Sequence, residues 1–121
     1  MKLKTVQAQW QAYNDFHFAG KLKSITIRLT RAKKYHGQYV FPDSIKSKVP
    51  PYICISGAVN TEDTWRGVLL HEMVHQWLLE QEKITEEEWD FHGPRFMSWA
   101  DWLGLDMEYI KGIDDNATTN G

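Results

Sequence analysis

The spacing of apolar positions changes several times along the chain, and each change marks an element. Val6, Trp10, Tyr13 and His17 recur at helical spacing, so roughly residues 4–17 read as an amphipathic helix with Gly20 as its stop. In SITIRLT, residues 24–30, Ile25, Ile27 and Leu29 alternate with Thr26, Arg28 and Thr30. That period of two with β-branched residues predicts a half-buried strand. KYHGQYVF, residues 34–41, carries Gly37 between aromatics and reads as a second strand or a tight hairpin. Pro50 and Pro51 interrupt the chain before YICIS, residues 52–56, whose short apolar run reads as a third strand.

The longest pattern follows Gly57. Asn60 or Thr61 can cap a helix whose first turn holds Glu62 and Asp63, the charge sign favoured at a helix N-terminus. Leu70, Met73, Val74, Trp77 and Leu78 give it an apolar stripe, and it should run to about Lys83. An acidic loop around Glu86, Glu87 and Glu88 precedes Pro94, which suits a first helical position. Phe96, Met97, Ala100 and Leu103 make the apolar side of that last helix, and Gly104 ends it. The pattern predicts an α+β architecture: a small, mainly antiparallel sheet of three to four strands packed against helices. Residues 1–110 are expected to form a single domain, with 111–121 a frayed tail.

Composition narrows the class without naming a function. With 42% hydrophobic and 25% charged residues, the 121-residue chain is globular rather than disordered. Cys54 is the only cysteine, which rules out an internal disulfide and a cysteine-based zinc cluster within these residues. The opening MKLKTVQAQWQA has no continuous apolar run behind its lysines, and no stretch is long enough to span a bilayer. A cytoplasmic location with no membrane partner is the expectation. The net charge of −2 conceals a split of +8 over residues 1–50 and −10 over 51–121. Arg31, Lys33, Lys34, Lys46 and Lys48, interleaved with Tyr35 and Tyr39, have the composition of a phosphate-contacting, base-stacking surface, for which single-stranded DNA is the expected partner. The alternative is a solvated face that neutralises the acidic half across the fold.

The chemistry lies in VLLHEMVHQWLL, residues 68–79, where polar side chains interrupt an apolar helix. His71 and His75 are four residues apart, so on a helix they project the same way at about 6 Å, close enough to share one cation. Glu72 lies beside that position, where a carboxylate can take a proton from water during amide hydrolysis. This is the H-E-x-x-H pattern of zinc metalloproteases. A catalytic zinc ordinarily takes three protein ligands. The downstream candidates for the third are Glu80, Glu82, Glu86, Glu87, Glu88, Asp90 and His92. His92 is best placed: Gly93 permits close backbone approach, the Pro94 helix gives a rigid support, and a helix N-terminus favours neutral imidazole. A capping or surface histidine is the competing reading of His92. Tyr35, Tyr39 and Arg95 are oxyanion-donor candidates, and either YICIS or KYHGQYVF can offer an edge to an extended substrate.

HEMVH, residues 71–75, with HGPRF, residues 92–96, resembles the SprT-like zinc metallopeptidases, a family that includes the bacterial SprT proteins and the Spartan-type proteases acting on proteins crosslinked to DNA. YNDFHFAGKL, residues 13–22, looks like the family's opening segment, and YICIS followed by an acidic helix start and LLHEMVHQ follows the family's order. The resemblance implies a zincin-like active-site helix and one zinc ion, with His71, His75 and His92 as its ligands and Glu72 as catalytic base. A protein or peptide substrate is implied with it. The cysteine ribbon and long DNA-binding extension of several relatives are not among these residues, so a minimal protease core is expected. A non-catalytic, zinc-containing binding module is the rival class; oligomeric state has no signal in the sequence.

Overall fold

The computed structural model describes residues 2–31, 35–40, 50–57, 62–83 and 93–105. Among these residues six elements follow one another: α1 (Leu3–His17), β1 (Thr26–Thr30), β2 (Gly37–Val40), β3 (Tyr52–Ser56), α2 (Glu62–Glu80) and α3 (Pro94–Leu103). The expected boundaries hold to within a few residues, with α2 ending at Glu80 rather than Lys83. The Asn60 and Thr61 cap, the acidic loop at 86–88 and the 111–121 tail lie outside the described residues.

The sheet differs from expectation. Its order is β1-β3-β2, so the last strand in sequence lies in the middle. β3 runs parallel to β1, pairing Thr26 with Tyr52 through Thr30 with Ser56, and antiparallel to β2, pairing Gly37 with Ile55 through Val40 with Tyr52. The sheet is therefore mixed, not mainly antiparallel. Alternation within a strand reports which side chains face the core; it carries no record of neighbour or direction. The central position of β3 explains its composition: Ile53, Cys54, Ile55 and Ser56 are all buried, as a strand covered on both faces requires.

Ile27, Tyr39, Ile53 and Ile55 share one core with Val6, Trp10, Val68, Leu69, Met73, Val74, Phe96 and Ala100. α2 is the middle of that core. Every residue from Val68 to Gln76 is buried, so the helix is covered all round rather than along one stripe. Its polar residues therefore need partners inside the protein. The Trp10 indole donates to Gln76 Oε1 at 3.3 Å, while Gln76 Nε2 donates to the Lys23 carbonyl at 2.9 Å and to Glu80 Oε2 at 2.7 Å. Glu80 Oε1 in turn accepts from the Lys23 amide at 2.9 Å. These bonds fix the rotation of α2 against α1 and the segment entering β1. Asn14 holds the same segment from α1, donating to the Leu22 carbonyl and accepting from its amide. Among the described residues, no helix is long and apolar enough to cross a membrane.

Candidate metal centre

His71, Glu72 and His75 occupy consecutive turns of α2, and each is fully buried. The two imidazoles project to the same side, as their spacing of four residues demands. His75 Nε2 stands 3.3 Å from His71 Nε2, with ring centroids 5.0 Å apart at 65°. Adding one carboxylate oxygen of Glu72 keeps the three ligand atoms within 4.8 Å of one another.

The donor set fits a small divalent cation. A tetrahedral ion with bonds of about 2.0–2.1 Å holds its nitrogen ligands roughly 3.3–3.4 Å apart. The observed separation of 3.3 Å is that value. It is long for an imidazole N–H donating to a second imidazole. The helix thus presents two nitrogens already at ligand spacing, with a carboxylate offset by one residue.

Neighbouring elements close the centre on two sides. Phe96, in the first turn of α3, packs against both rings, at 4.7 Å from His71 and 4.6 Å from His75. β2 meets α2 at Gly37, beside Glu72 and Val68. A Cβ there would stand 3.2 Å from Glu72 Oε2 and 2.5 Å from Val68 Cγ1, so only glycine lets the strand lie this close to the carboxylate. Neither contact is visible in the sequence, although Phe96 belongs to HGPRF and Gly37 is conspicuous inside an aromatic strand.

The structure removes two of the seven candidates for a third ligand. Glu80 is bound to Gln76 and Lys23, as above, and is not part of the cluster. Glu82 accepts from the Trp77 and Trp99 indoles and from Arg95. Glu86, Glu87, Glu88, Asp90 and His92 lie outside the described residues. Gly93 is the N-cap of α3, and its carbonyl accepts from the Met97 amide at 2.9 Å. Phe96, one turn on, is already against the imidazoles, so α3 begins beside the centre.

Other expected site residues find different places. Arg95 is engaged by Glu82 rather than directed at the histidines. Tyr39 is fully buried in the core, where burial and the nearby charge of Glu80 raise its phenol pKa well above the ordinary value. Tyr35 is half-buried, with its pKa also raised, chiefly by burial. Arg31 is exposed just after β1, whereas Lys33, Lys34, Lys46 and Lys48 lie outside the described residues.

The SprT-like family model matches residues 6–110, from the first turns of α1 to beyond α3. The chain belongs to the SprT-like family. That match takes in all of the described strands, α2, α3 and most of α1, and contains the His–Glu–His group, whose place in this SprT-like chain is an HExxH-type arrangement able to hold a metal ion. No curated protein and no solved structure matches the chain.

Proposed function

We propose that this SprT-like chain is a zinc-dependent metalloprotease that hydrolyses peptide bonds. The observation that carries the reading is the pair of Nε2 atoms at 3.3 Å with a buried carboxylate one residue away. His71 and His75 hold the ion, with His92 as the third ligand by resemblance to the family. When bound, zinc supplies Lewis acidity that polarises a carbonyl and makes water a better nucleophile at neutral pH.

The chain's own groups do the rest. Glu72 takes a proton from the attacking water and returns it to the leaving amine, a general acid–base cycle. Burial of all three side chains excludes bulk water from the reacting groups. β3 is paired on both sides and has no edge to offer, which leaves β2 of the two strands considered for substrate addition. β2 passes directly beside Glu72 at Gly37, so an extended peptide laid along it reaches the carboxylate. Substrates of the DNA–protein crosslink type are part of the proposal, with Arg31, Lys33, Lys34, Lys46 and Lys48 as the strand-contacting residues. A structural zinc module would have no use for a carboxylate beside the ligand pair, which favours the catalytic reading.

The test measures zinc content and peptide cleavage in the purified chain and in Glu72→Gln. Metal should persist in the variant while cleavage disappears; undiminished cleavage rejects the base assignment, and a wild-type chain without bound zinc rejects the whole reading. Adding single-stranded DNA at low and high salt tests the basic residues separately. Binding should weaken steeply with salt and be lost on charge reversal at Lys33 and Lys34.

A further inference from the structure

One carboxylate just beyond α2 is surrounded by donors from two helices. Glu82 Oε2 accepts from the Trp77 indole at 3.1 Å and from the Trp99 indole at 3.4 Å. Its Oε1 accepts from Arg95 Nε at 2.6 Å and is also paired with Arg95 Nη2. Trp77 belongs to α2; Arg95 and Trp99 belong to successive turns of α3. The two indoles pack against each other at 5.3 Å, tilted by 59°, and against Phe18 at 5.6 and 5.3 Å, so the carboxylate caps an aromatic triangle joining three parts of the chain. The residue following it, Lys83, adopts a left-handed backbone with φ of 55°.

What this clamp holds in place is specific. Arg95 immediately precedes Phe96, the ring that packs on both His71 and His75. Fixing Arg95 and Trp99 to the end of α2 therefore fixes the rotation of α3's first turn, and with it the face of Phe96 against the imidazoles. A charge-assisted bond is roughly twice as strong as a neutral one, and two fixed indole donors give it direction. An exposed Arg–Glu pair with nothing else attached would contribute little, but Glu82 is only 18% exposed and shares its second oxygen with two indoles.

We infer that Glu82 is a positioning residue for the metal centre: through Arg95, Trp77 and Trp99 it seats α3 so that Phe96 holds the imidazoles of His71 and His75 at ligand spacing. This rests on the reading of the histidines as metal ligands, and one arm of the test does not need a metal.

In the metal-free chain, the imidazole C–H resonances of His71 and His75 feel the ring current of Phe96, so they report its placement. Glu82→Ala and Arg95→Ala should each move these resonances, and combining the two should add little beyond Glu82→Ala. With cobalt(II) as the probe ion, Glu82→Ala should weaken binding about ten- to a hundred-fold and alter the visible absorption bands, the range found when groups that orient metal ligands are removed. Glu82→Gln, which keeps an oxygen for the indoles, should restore part of that loss. Should Glu82→Ala fail to fold, Arg95→Ala at a residue 67% exposed carries the same expectation in weaker form. A fall in melting temperature with unmoved imidazole resonances and unchanged cobalt spectrum overturns the inference and leaves Glu82 a structural clamp. Shifted resonances in a chain whose wild type binds no cobalt uphold the seating of Phe96 and overturn its purpose, together with the protease reading.

Discussion

Gly37→Ala tests the packing of β2 on α2, because one methyl group decides the sign of the effect. Replacing glycine by alanine in regular structure ordinarily stabilises a protein by about 0.5–1 kcal/mol, since glycine loses more backbone freedom on folding. At Gly37 the new Cβ would stand 2.5 Å from Val68 Cγ1, 3.1 Å from the Cys54 carbonyl oxygen and 3.2 Å from Glu72 Oε2. Val68 is fully buried and, as a β-branched residue in a helix, has essentially one rotamer available, so it cannot swing aside. The Cys54 oxygen is backbone of the central strand and cannot move without its two ladders. Overpacking of this kind costs about 1–3 kcal/mol. The expected balance is a net loss of about 1–2 kcal/mol, or a fall in Tm of roughly 4–8 °C for a chain this size. Gly67→Ala is the internal control, because a Cβ there meets nothing within 4 Å inside α2. It should raise stability by about 1 kcal/mol. Thermal and urea unfolding of both variants, followed by circular dichroism, give the comparison. Peptide cleavage, the proposed activity, should fall further in Gly37→Ala than stability explains, because relief of the clash requires β2 to draw back from Glu72. Equal stabilisation by the two substitutions would refute the packing described for β2 and α2.

Three further outcomes follow from the same structure. Removing metal with a chelator should lower Tm, since an ion bound only by the folded chain contributes about 2.7 kcal/mol at a hundredfold excess over its Kd; an unchanged Tm in calorimetry contradicts a bound ion. Burial and then the charge of Glu80 raise the Tyr39 pKa, so the folded chain holds that proton more tightly than the unfolded one. The resulting stability is complete below the unfolded value of about 10 and is lost as pH rises above it; Tyr39→Phe should flatten the decline in chemical unfolding measured between pH 9 and 11. Tyr13 and Tyr35 are raised in the same direction, so the flattening should be partial. Burial pushes the Cys54 thiol pKa up, Glu72 adds to the rise and Arg28 opposes it. A colorimetric disulfide reagent at pH 8 should therefore react slowly with the native chain and rapidly after denaturation, and Glu72→Gln should react faster than wild type; equal rates in native and denatured chain contradict the burial of Cys54.

Much of the candidate site was legible in the sequence because it is local. A spacing of four residues on a helix brings His71 and His75 together whatever the helix packs against, and Glu72 follows by one residue. The helices themselves were legible from apolar periodicity, and α3 from Pro94 at its start and Gly104 at its end. What the stripe on α2 did not reveal is that the helix is covered on every side. Burial of His71, Glu72, His75 and Gln76 depends on α1, α3 and the sheet closing around it, and each of those lies elsewhere in the chain.

Contacts between distant segments escaped for a single reason: local patterns record which way a side chain faces, not what it meets. Glu80 and Glu82 both stood among the metal-ligand candidates, being carboxylates at a plausible distance along the chain. Folding hands Glu80 to Gln76 and Lys23, and Glu82 to two indoles and a guanidinium. Arg95, an oxyanion candidate by composition, is consumed by the same clamp.

The sequence by itself determined the elements, the paired imidazoles with their adjacent carboxylate, and through HEMVH and HGPRF the family to which the chain belongs. Tertiary structure alone decided that β3 lies between a parallel and an antiparallel neighbour, that β2 supplies the edge beside Glu72, and that Phe96 lies on both histidines. Periodicity is fixed by backbone geometry over a few residues, whereas strand order and helix seating are fixed by how separate apolar faces jointly leave water.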